Sequence, residues 1–373
     1  MVSPYAALRP LLFRTSPETA HRGAIALGKV GQLAPFALRA MYRHGLSAER
    51  VARLRVEAFG VSFPNPLGLA AGVDKNAELV PLWSAISLGF CEVGSVSARP
   101  SPGNPRPRAF RLPADRALVN RMGLNNDGAE VIAKRIAGTR RPSNFPLGIN
   151  IVKTHDPTIL GDAGLEDFAA SARALLPHAD FVVLNVSCPN TAEGKTFESP
   201  EALAPLLDAV FVERARQALA TPILVKFSPP PAVDFDTGAV DELVDLSIER
   251  GVAGFVATNT ASDRAGLATP AAELDAIGAG GLSGAPIAAR AEALCRHLFR
   301  RADGRATVVG VGGIDSPEAA YSRIRAGAHL VEMYTGLVYE GPGLVARTLR
   351  FLDRALERDG FGSIAEAVGV DVS

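Results

Sequence analysis

Short apolar runs alternate with longer amphipathic stretches along most of the chain. Eight of these runs have the length and β-branched content of strands, and they span residues 66–71, 91–97, 147–152, 181–187, 223–227, 254–258, 307–312 and 329–333. A stretch with helical periodicity follows each one, near residues 76–88, 127–138, 165–177, 200–218, 236–250, 285–302, 316–327 and 341–357. Eight strand–helix units in succession predict an α/β fold, the (β/α)8 or TIM barrel.

The continuous apolar composition of the eight runs indicates parallel strands. Each run is apolar throughout rather than alternating, as expected for strands that helices cover on the outside. The pairs Ser199-Pro200 and Ser316-Pro317 are typical of helix starts. A doubly wound open sheet is the alternative, and it does not require eight repeats.

Composition narrows the class of protein. The 373 residues are 47% hydrophobic and 21% charged, which supplies a large core and excludes a disordered chain. Cys91, Cys188 and Cys295 are far apart, which excludes a disulfide framework or zinc cluster and indicates a reducing compartment. The six histidines show no metal-ligand spacing, so we expect no metal. No apolar run approaches the ~20 residues of a membrane-spanning helix, and no signal peptide opens the chain.

Charge is unevenly distributed, although the net charge is zero and nothing global indicates nucleic acid. Residues 1–55 hold nine Lys and Arg against two acids, among apolar residues at near-helical spacing. This pattern is typical of helices lying on an anionic bilayer, and surface helices packed on a domain are the alternative. We therefore predict an N-terminal helical segment at 1–45, a barrel at 46–358 and a C-terminal tail at 359–373.

Polar residues are concentrated where the predicted strands end, and barrel enzymes have their active sites there. In chain order they are Lys75, Ser95, the segment 120–126, Asn150, Asn185, Cys188, Asn190, Lys226, Thr258, Asn259, Thr260, Tyr334 and Thr335. Several asparagines and two lysines in this position indicate a planar ligand with many hydrogen-bonding atoms.

Lys226 is notable because it lies inside the apolar run 223–227, and lysine is rarely buried without a partner. Its amine could extend to solvent at the barrel mouth. The functional interpretation is a cation held against an electron-rich ligand such as a reduced flavin.

Three glycine-containing loops indicate a phosphate site. Gly281-Leu282-Ser283-Gly284, Gly310-Val311-Gly312-Gly313 and Tyr334-Thr335-Gly336 follow strands six, seven and eight. Glycines let backbone N–H groups approach an anion, and the loops after strands seven and eight are the usual phosphate site of barrels. For each loop considered by itself, an ordinary turn containing glycine is the alternative to a phosphate site.

Cys188 lies in a polar loop just past strand four, where a thiolate could act as a general base. The alternative is a small buried side chain packed under the loop, which is our expectation for Cys91 and Cys295.

Several motifs together resemble the dihydroorotate dehydrogenases, and in particular their membrane-associated, quinone-dependent class (class 2). The resemblance covers about residues 4–350. It is carried by Ser16-Pro17-Glu18-Thr19-Ala20-His21, Asn65-Pro66-Leu67-Gly68-Leu69-Ala70-Ala71-Gly72-Val73-Asp74-Lys75, Pro105-Arg106-Pro107-Arg108-Ala109-Phe110-Arg111-Leu112, Asn120-Arg121-Met122-Gly123, Gly148-Ile149-Asn150, Ala257-Thr258-Asn259-Thr260 and Gly310-Val311-Gly312-Gly313-Ile314-Asp315.

The resemblance implies roles for matching residues. It places FMN against Ala71, Ser95, Asn150, Asn185, Lys226 and Thr258, with the phosphate at Gly284, Gly313, Tyr334 and Thr335. It places dihydroorotate or orotate against Lys75, Asn120, Arg121, Met122, Gly123, Leu124, Asn185, Asn190, Asn259 and Thr260. A quinone tunnel between the N-terminal helices would pass His21, Arg111 and Tyr334.

The implied reaction is FMN-dependent oxidation of (S)-dihydroorotate to orotate with quinone as electron acceptor, in the de novo synthesis of UMP. The implied setting is the cytoplasmic side of a bacterial inner membrane, with peripheral attachment through the N-terminal helices. The sequence departs from the family pattern in three places. Cys188 stands where quinone-linked members have serine, and Leu124 stands where the family has phenylalanine. The loop after Asn190-Thr191 reads Ala192-Glu193-Gly194-Lys195 instead of the usual Pro-Gly-Leu-Arg.

Two other functions remain open on the sequence. A related FMN barrel enzyme could act on another dihydropyrimidine or cyclic amide, with Cys188 as acid or base. A non-catalytic barrel could bind nucleotide-like ligands, although the presence of both Lys75 and Lys226 argues against it.

Overall fold

The computed structural model describes residues 4–187, 197–232 and 235–372. Its centre is a closed barrel of eight parallel strands. In chain order these are β3 (Leu67–Leu69), β4 (Phe90–Val96), β7 (Leu147–Ile151), β8 (Phe181–Asn185), β9 (Ile223–Phe227), β10 (Gly254–Ala257), β12 (Thr307–Val311) and β13 (Leu330–Met333). The last strand pairs with the first, so the prediction of a (β/α)8 barrel is confirmed and an open sheet is excluded.

Helices follow each barrel strand on the outside, as the periodicity predicted. They are α5 (Val80–Ala85), α6 (Ala129–Ala137), α7 (Asp162–Leu175), α8 (Pro200–Arg216), α9 (Thr237–Glu249), α11 (Ala288–Ala302), α12 (Pro317–Arg325), α13 (Thr335–Glu340) and α14 (Gly343–Asp359). Both serine–proline signals mark helix starts. Ser316 Oγ accepts a hydrogen bond from the Ala319 N–H, whereas Ser199 occupies the N-cap position of α8 without such a bond.

The amino end of the barrel is closed by aromatic packing. A short antiparallel hairpin, β1 (Val56–Ala58) and β2 (Val61–Phe63), places Phe63 against Phe90 and Phe181, with ring centroids 5.2 and 6.1 Å apart. The rings leave room only for glycine at positions 68 and 148, because a Cβ on Gly68 or Gly148 would lie within 2.3 Å of one of them. The described residues therefore leave no opening between these rings at the amino end.

A second small sheet lies over the carboxyl end. It consists of β5 (Ala109–Leu112), β6 (Ala117–Asn120) and β11 (Gly281–Gly284) in the order β11-β6-β5, accompanied by α10 (Ala271–Ile277). Its buried residues form a core separate from that of the barrel, and they are Leu112, Ala117, Val119, Ala261, Ile277, Leu282 and Ile287. Because β6 ends at Asn120 and β11 ends at Gly284, this sheet carries two predicted site segments to the barrel mouth.

Both chain ends add helices to the barrel. Helices α1 (Pro4–Leu12), α2 (Pro17–Gly31), α3 (Pro35–Met41) and α4 (Ala48–Arg53) precede β1. The final helix α15 (Ile364–Ala367) places Ile364 and Ala367 in the main core. Among the described residues, no helix is both long and apolar enough to cross a membrane.

Candidate active site

A cavity opens at the carboxyl end of the barrel. Strands β3, β9, β10, β12 and β13 and the glycine loops beyond them form its wall. Seven of the ten residues predicted to bind the cofactor line it, namely Ala71, Lys226, Thr258, Gly284, Gly313, Tyr334 and Thr335. The topology thus brings together residues that are far apart in sequence.

One end of the cavity is lined by the glycine loops, which pack too closely for any side chain. A Cβ on Gly284 would lie 2.4 Å from the Arg116 carbonyl oxygen, and one on Gly313 would lie 2.3 Å from the Ala288 Cβ. Both glycines also have positive φ angles, of 104° and 73°. Ser283 Oγ and Thr335 Oγ1 lie 2.9 Å apart beside them. Backbone N–H groups and hydroxyls at this end suit a phosphate.

Arg323 holds this cradle in place from behind, and sequence reasoning missed it. Its guanidinium is 3% exposed and donates to the carbonyls of Ala288 and Gly312 at 2.9 and 3.1 Å. It therefore ties the start of α11 to the loop after β12. Its position in the amphipathic helix α12 resembles that of any surface arginine, so the sequence contained no signal for it.

The floor of the cavity is a buried polar cluster. Lys226 Nζ donates to Glu92 Oε1 at 3.0 Å and lies 3.9 Å from Glu332 Oε2. Asn150 Nδ2 donates to the same Glu92 oxygen at 2.8 Å. The Lys226 amine is thus buried and ion-paired instead of extending to solvent at the barrel mouth. Glu92 and Glu332 were missed, although each interrupts an apolar run in the same manner as Lys226.

A chain of side-chain hydrogen bonds crosses the site above this floor. Asn259 Nδ2 donates to Asn185 Oδ1 at 3.1 Å and to Ser187 Oγ at 2.9 Å. Asn185 Nδ2 in turn donates to Ser95 Oγ at 3.2 Å. The Thr260 backbone N–H donates to Asn259 Oδ1 at 2.8 Å. These contacts fix the amide orientations of both asparagines. Ser187 was not predicted as a site residue, but the structure places it in this network.

Lys75 is positioned by a rigid loop after β3. The Asp74 carboxylate accepts hydrogen bonds from the backbone of Glu78 and Leu79 and from Trp83 Nε1, at 2.7 to 3.0 Å. Lys75 Nζ donates to Asn125 Oδ1 at 2.7 Å. Burial, reinforced by the Arg108 guanidinium, lowers the pKa of Lys75 to about 7, although Glu18 opposes the shift.

The predicted segment Asn120–Leu124 begins at the last residue of β6 and leads to Asn125, the hydrogen-bond partner of Lys75. Asn120 Nδ2 donates to the Gly281 carbonyl at 3.4 Å, and Arg121 lies over the Phe110 ring. The Met122 carbonyl accepts from the Asn104 N–H at 3.1 Å. Gly123 and Leu124 both have positive φ angles, so the chain turns sharply at this point. Two predicted site residues, Cys188 and Asn190, lie outside the described residues.

Two of the three predicted tunnel residues, Arg111 and Tyr334, line different cavities in the described part of the chain. Arg111 lines an open cavity between the N-terminal segment, β5 and α10. It donates to the Thr15 carbonyl at 2.7 Å and covers the Phe13 ring. Tyr334 lines the main cavity, where burial raises its pKa to about 12. Burial lowers the pKa of His21, and the Lys75 charge lowers it further.

A closed parallel barrel with a phosphate cradle after its last strands, and with a buried lysine at its floor, defines the class of TIM barrels with a phosphate site at the carboxyl end. The sequence profile described as dihydroorotate dehydrogenase matches residues 53–356. The chain belongs to the dihydroorotate dehydrogenase family.

Individual relatives are similar to this chain over almost its whole length. A protein from Mycobacterium sp. (strain KMS), named dihydroorotate dehydrogenase (quinone), is 47% identical over 366 residues, covering 98% of each chain. A protein of the same name from Nocardia farcinica is 45% identical, covering 98% of this chain and 97% of its own. A crystal structure of DHODH from Eimeria tenella in complex with ferulenol is 29% identical with a TM-score of 0.83, covering 98% of each chain. The resemblance seen in the motifs is confirmed.

Proposed function

We propose that this chain oxidises (S)-dihydroorotate to orotate with FMN as its flavin and quinone as its electron acceptor, a step in the synthesis of UMP. The observation that carries the proposal is a cavity at the barrel mouth lined by a phosphate cradle, by Lys226 at its floor and by Asn259, with Lys75 held by Asn125 on the loop after β3. The names of the relatives from Mycobacterium and Nocardia support both the substrate and the quinone.

FMN fits the cavity because one phosphate cradle is present and its neighbours are hydrogen-bonding groups. Gly284, Gly313 and Thr335 would hold the phosphate, and Lys226 with Thr258 would lie against the ring system. Asn150 Oδ1 is buried without a hydrogen-bond partner among the described residues, so it is available to a ring N–H. FMN, when bound, supplies the two-electron redox chemistry of the reaction.

Dihydroorotate has a carboxylate and two amide-like edges, and the residues at the mouth match both. Lys75 offers an ammonium to the carboxylate, while Asn185 and Asn259 offer paired donors and acceptors. Oxidation removes a proton from C5 and a hydride from C6. Cys188 would accept the C5 proton on Sγ, because it directly follows Ser187, which is hydrogen-bonded to both asparagines.

The direct test is turnover of the purified protein with dihydroorotate and a short-chain quinone. We expect orotate and reduced quinone in equal amounts, and we expect heat to release FMN that chromatography identifies. FAD, or a colourless protein, would contradict the cofactor. A flavin that dihydroorotate does not reduce, but that another cyclic amide does, would contradict the substrate.

The pKa of Lys75 predicts how orotate affinity depends on pH. Its pKa is lowered to about 7, so the ammonium is present below pH 7 and is lost above it. Because carboxylate binding requires the charged form, affinity should be constant below pH 7 and fall by about tenfold per pH unit above it. Orotate titrations between pH 6 and 9, followed by flavin absorbance, measure this dependence. Lys75→Arg should remove the pH dependence, and an unchanged slope in this variant would assign the titration to another group.

We also propose that the N-terminal helices attach the protein to the cytoplasmic face of a bacterial inner membrane. Their contacts with the barrel combine apolar packing, by Ile25 and Gly28, with polar pairs. Arg9 donates to the Tyr339 carbonyl at 2.8 Å, Glu18 pairs with Arg108 at 3.0 Å, and Lys29 pairs with Glu78. Many of their other apolar residues face outward. Of the twelve large hydrophobic residues that are exposed in the described part of the chain, eight are here: Leu8, Leu11, Leu12, Leu27, Val30, Leu33, Phe36 and Met41.

This outward apolar face, with exposed Arg22, Arg39 and Arg43 around it, suits a helix lying in the headgroup region of anionic lipid. It also favours access of an apolar quinone to the cavity beside Arg111, because the same helices border that cavity.

Charging this face should abolish vesicle binding. Leu33 and Phe36 are 82% and 83% exposed, so Leu33→Glu combined with Phe36→Glu should leave the fold intact. Losing two apolar side chains from the bilayer and adding two negative charges should weaken binding to phosphatidylglycerol vesicles by at least about tenfold. Flavin content should not change. The matched control is Val131→Glu with Val212→Glu, which charges two exposed valines on barrel helices. Equal losses in the two double variants would refute the assignment.

A further inference from the structure

The polar cluster at the cavity floor contains one residue that binding of FMN and substrate does not require. Glu332 lies on β13, is 1% exposed and lines the cavity. Neither of its carboxyl oxygens has a hydrogen-bond partner among the described residues, and neither does Glu92 Oε2. Buried carboxyl oxygens without donors are costly, so the protonation state of this cluster needs an explanation.

Charge balance in the cluster is uneven. Two carboxyl groups, Glu92 and Glu332, face one ammonium, that of Lys226. If all three groups were ionised, the buried cluster would carry a net negative charge, and of two carboxyl groups that share one site, one has a strongly raised pKa. A single proton between the two carboxyl groups removes the excess charge and gives an oxygen of each a hydrogen-bond partner.

Contacts decide which carboxyl group holds the proton. Glu92 accepts charge-stabilising hydrogen bonds from Lys226 at 3.0 Å and Asn150 at 2.8 Å. Glu332 has neither, and its distance to Lys226 Nζ is 3.9 Å. Burial, followed by the charge of Glu92, raises the pKa of Glu332 well above its usual range, although Lys226 opposes the shift.

Other groups around Glu332 leave this assignment unchanged. The neighbouring strands β3 and β12 contain no titratable residue. Cys91 on β4 and Tyr334, which directly follows β13, are titratable neighbours, and burial raises the pKa of both groups, so both are uncharged at neutral pH.

We propose that Glu332 is a positioning residue that stays protonated, donates its hydrogen bond to Glu92 and keeps the cavity floor electrically neutral beneath the flavin. The proposal rests on the flavin function above. A reduced flavin is anionic at neutral pH, and Lys226 is the cation that faces it. An ionised Glu332 would give the floor a net negative charge and disfavour flavin reduction by about tenfold or more, since a unit charge acts strongly over a few ångströms inside a protein.

Infrared difference spectroscopy of the holoenzyme tests the proton directly. The reduced-minus-oxidised spectrum should contain the carbonyl band of a protonated carboxyl group that shifts in D2O, because a charge change on the flavin perturbs its neighbour. Glu332→Gln should remove this band. The matched control is Glu213→Gln on the outer helix α8. Glu213 is also buried, but its ion pairs with Arg173 and Arg216 lower its pKa, so this control should keep the band.

The flavin reduction equilibrium supplies a second readout. Glutamine is neutral and retains a donor, so Glu332→Gln should change the equilibrium constant at pH 7 by less than about twofold. A tenfold change, or a band that persists in Glu332→Gln, would overturn the proposal. A protein without flavin would refute the cofactor assignment instead, and the infrared spectrum of wild type minus Glu332→Gln would still report the proton.

Discussion

Replacing Cys188 by alanine is expected to lower turnover with dihydroorotate by about 10² to 10⁴-fold, the usual contribution of a general base. Removal of the C5 proton requires an acceptor on the substrate face. Cys188 directly follows Ser187, whose hydroxyl is hydrogen-bonded to Asn185 and Asn259. A thiol has a reference pKa near 8.5, so it needs less activation than a serine hydroxyl would. Flavin content and orotate affinity should change little, because neither depends on the thiol.

Stopped-flow reduction of the flavin by dihydroorotate measures this step without the quinone. Cys188→Ser should retain partial activity with its pH optimum moved upward, since serine ionises less readily. Cys295→Ser is the matched control, because Cys295 is fully buried in α11 and burial raises the pKa of its thiol to about 12. Full turnover in Cys188→Ala, or wild-type rate and pH profile in Cys188→Ser, would show that the thiol only packs beneath its loop.

Replacing Lys226 by alanine is expected to remove most of the bound flavin. The substitution deletes the cation at the cavity floor and leaves Glu92 as a buried carboxylate without its ion pair. Removing one partner of a buried pair costs about 3–5 kcal/mol, so flavin affinity should fall by about tenfold or more as the floor rearranges. The ratio of flavin to protein absorbance, measured with the melting temperature, separates lost flavin from lost fold.

A double variant distinguishes charge from packing. Lys226→Met with Glu92→Gln removes both charges while keeping similar volumes, so stability should recover and flavin binding should remain weak. Lys134→Ala is the matched control, because this lysine is exposed on α6. Full flavin content in Lys226→Ala would refute a role for the cation.

The barrel could be predicted because its strands and helices differ in local pattern. The run at 223–227 coincides with β9, and each of the other seven predicted runs contains its observed strand or differs from it by one residue. Parallel strands covered by helices are apolar throughout, so burial alone marks them in the sequence. The hairpin of β1 and β2 and the three-stranded sheet over the site were missed. Their strands have three or four residues, too few for a period to be distinct.

The active-site residues also divide into those that the sequence reveals and those that only the structure reveals. Lys226, Lys75 and the glycine loops were visible because each breaks a local pattern at a strand end. Glu92 and Glu332 break the same pattern, but their meaning depends on a partner about 100 residues or more away. Arg323 follows an ordinary helical pattern, and only its place behind the loop after β12 shows what it holds.

The sequence by itself determined the barrel, the strand-end position of the active site, and the family. All three follow from the order of residues and from local runs of apolar residues, and both can be seen in the sequence without a structure. Only the tertiary structure decided that one ammonium faces two carboxyl groups at the floor, that Lys75 is buried beside Arg108, and that the N-terminal helices direct many of their apolar residues outward. Protonation and exposure depend on distances between groups that are remote in sequence, and barrel closure sets those distances.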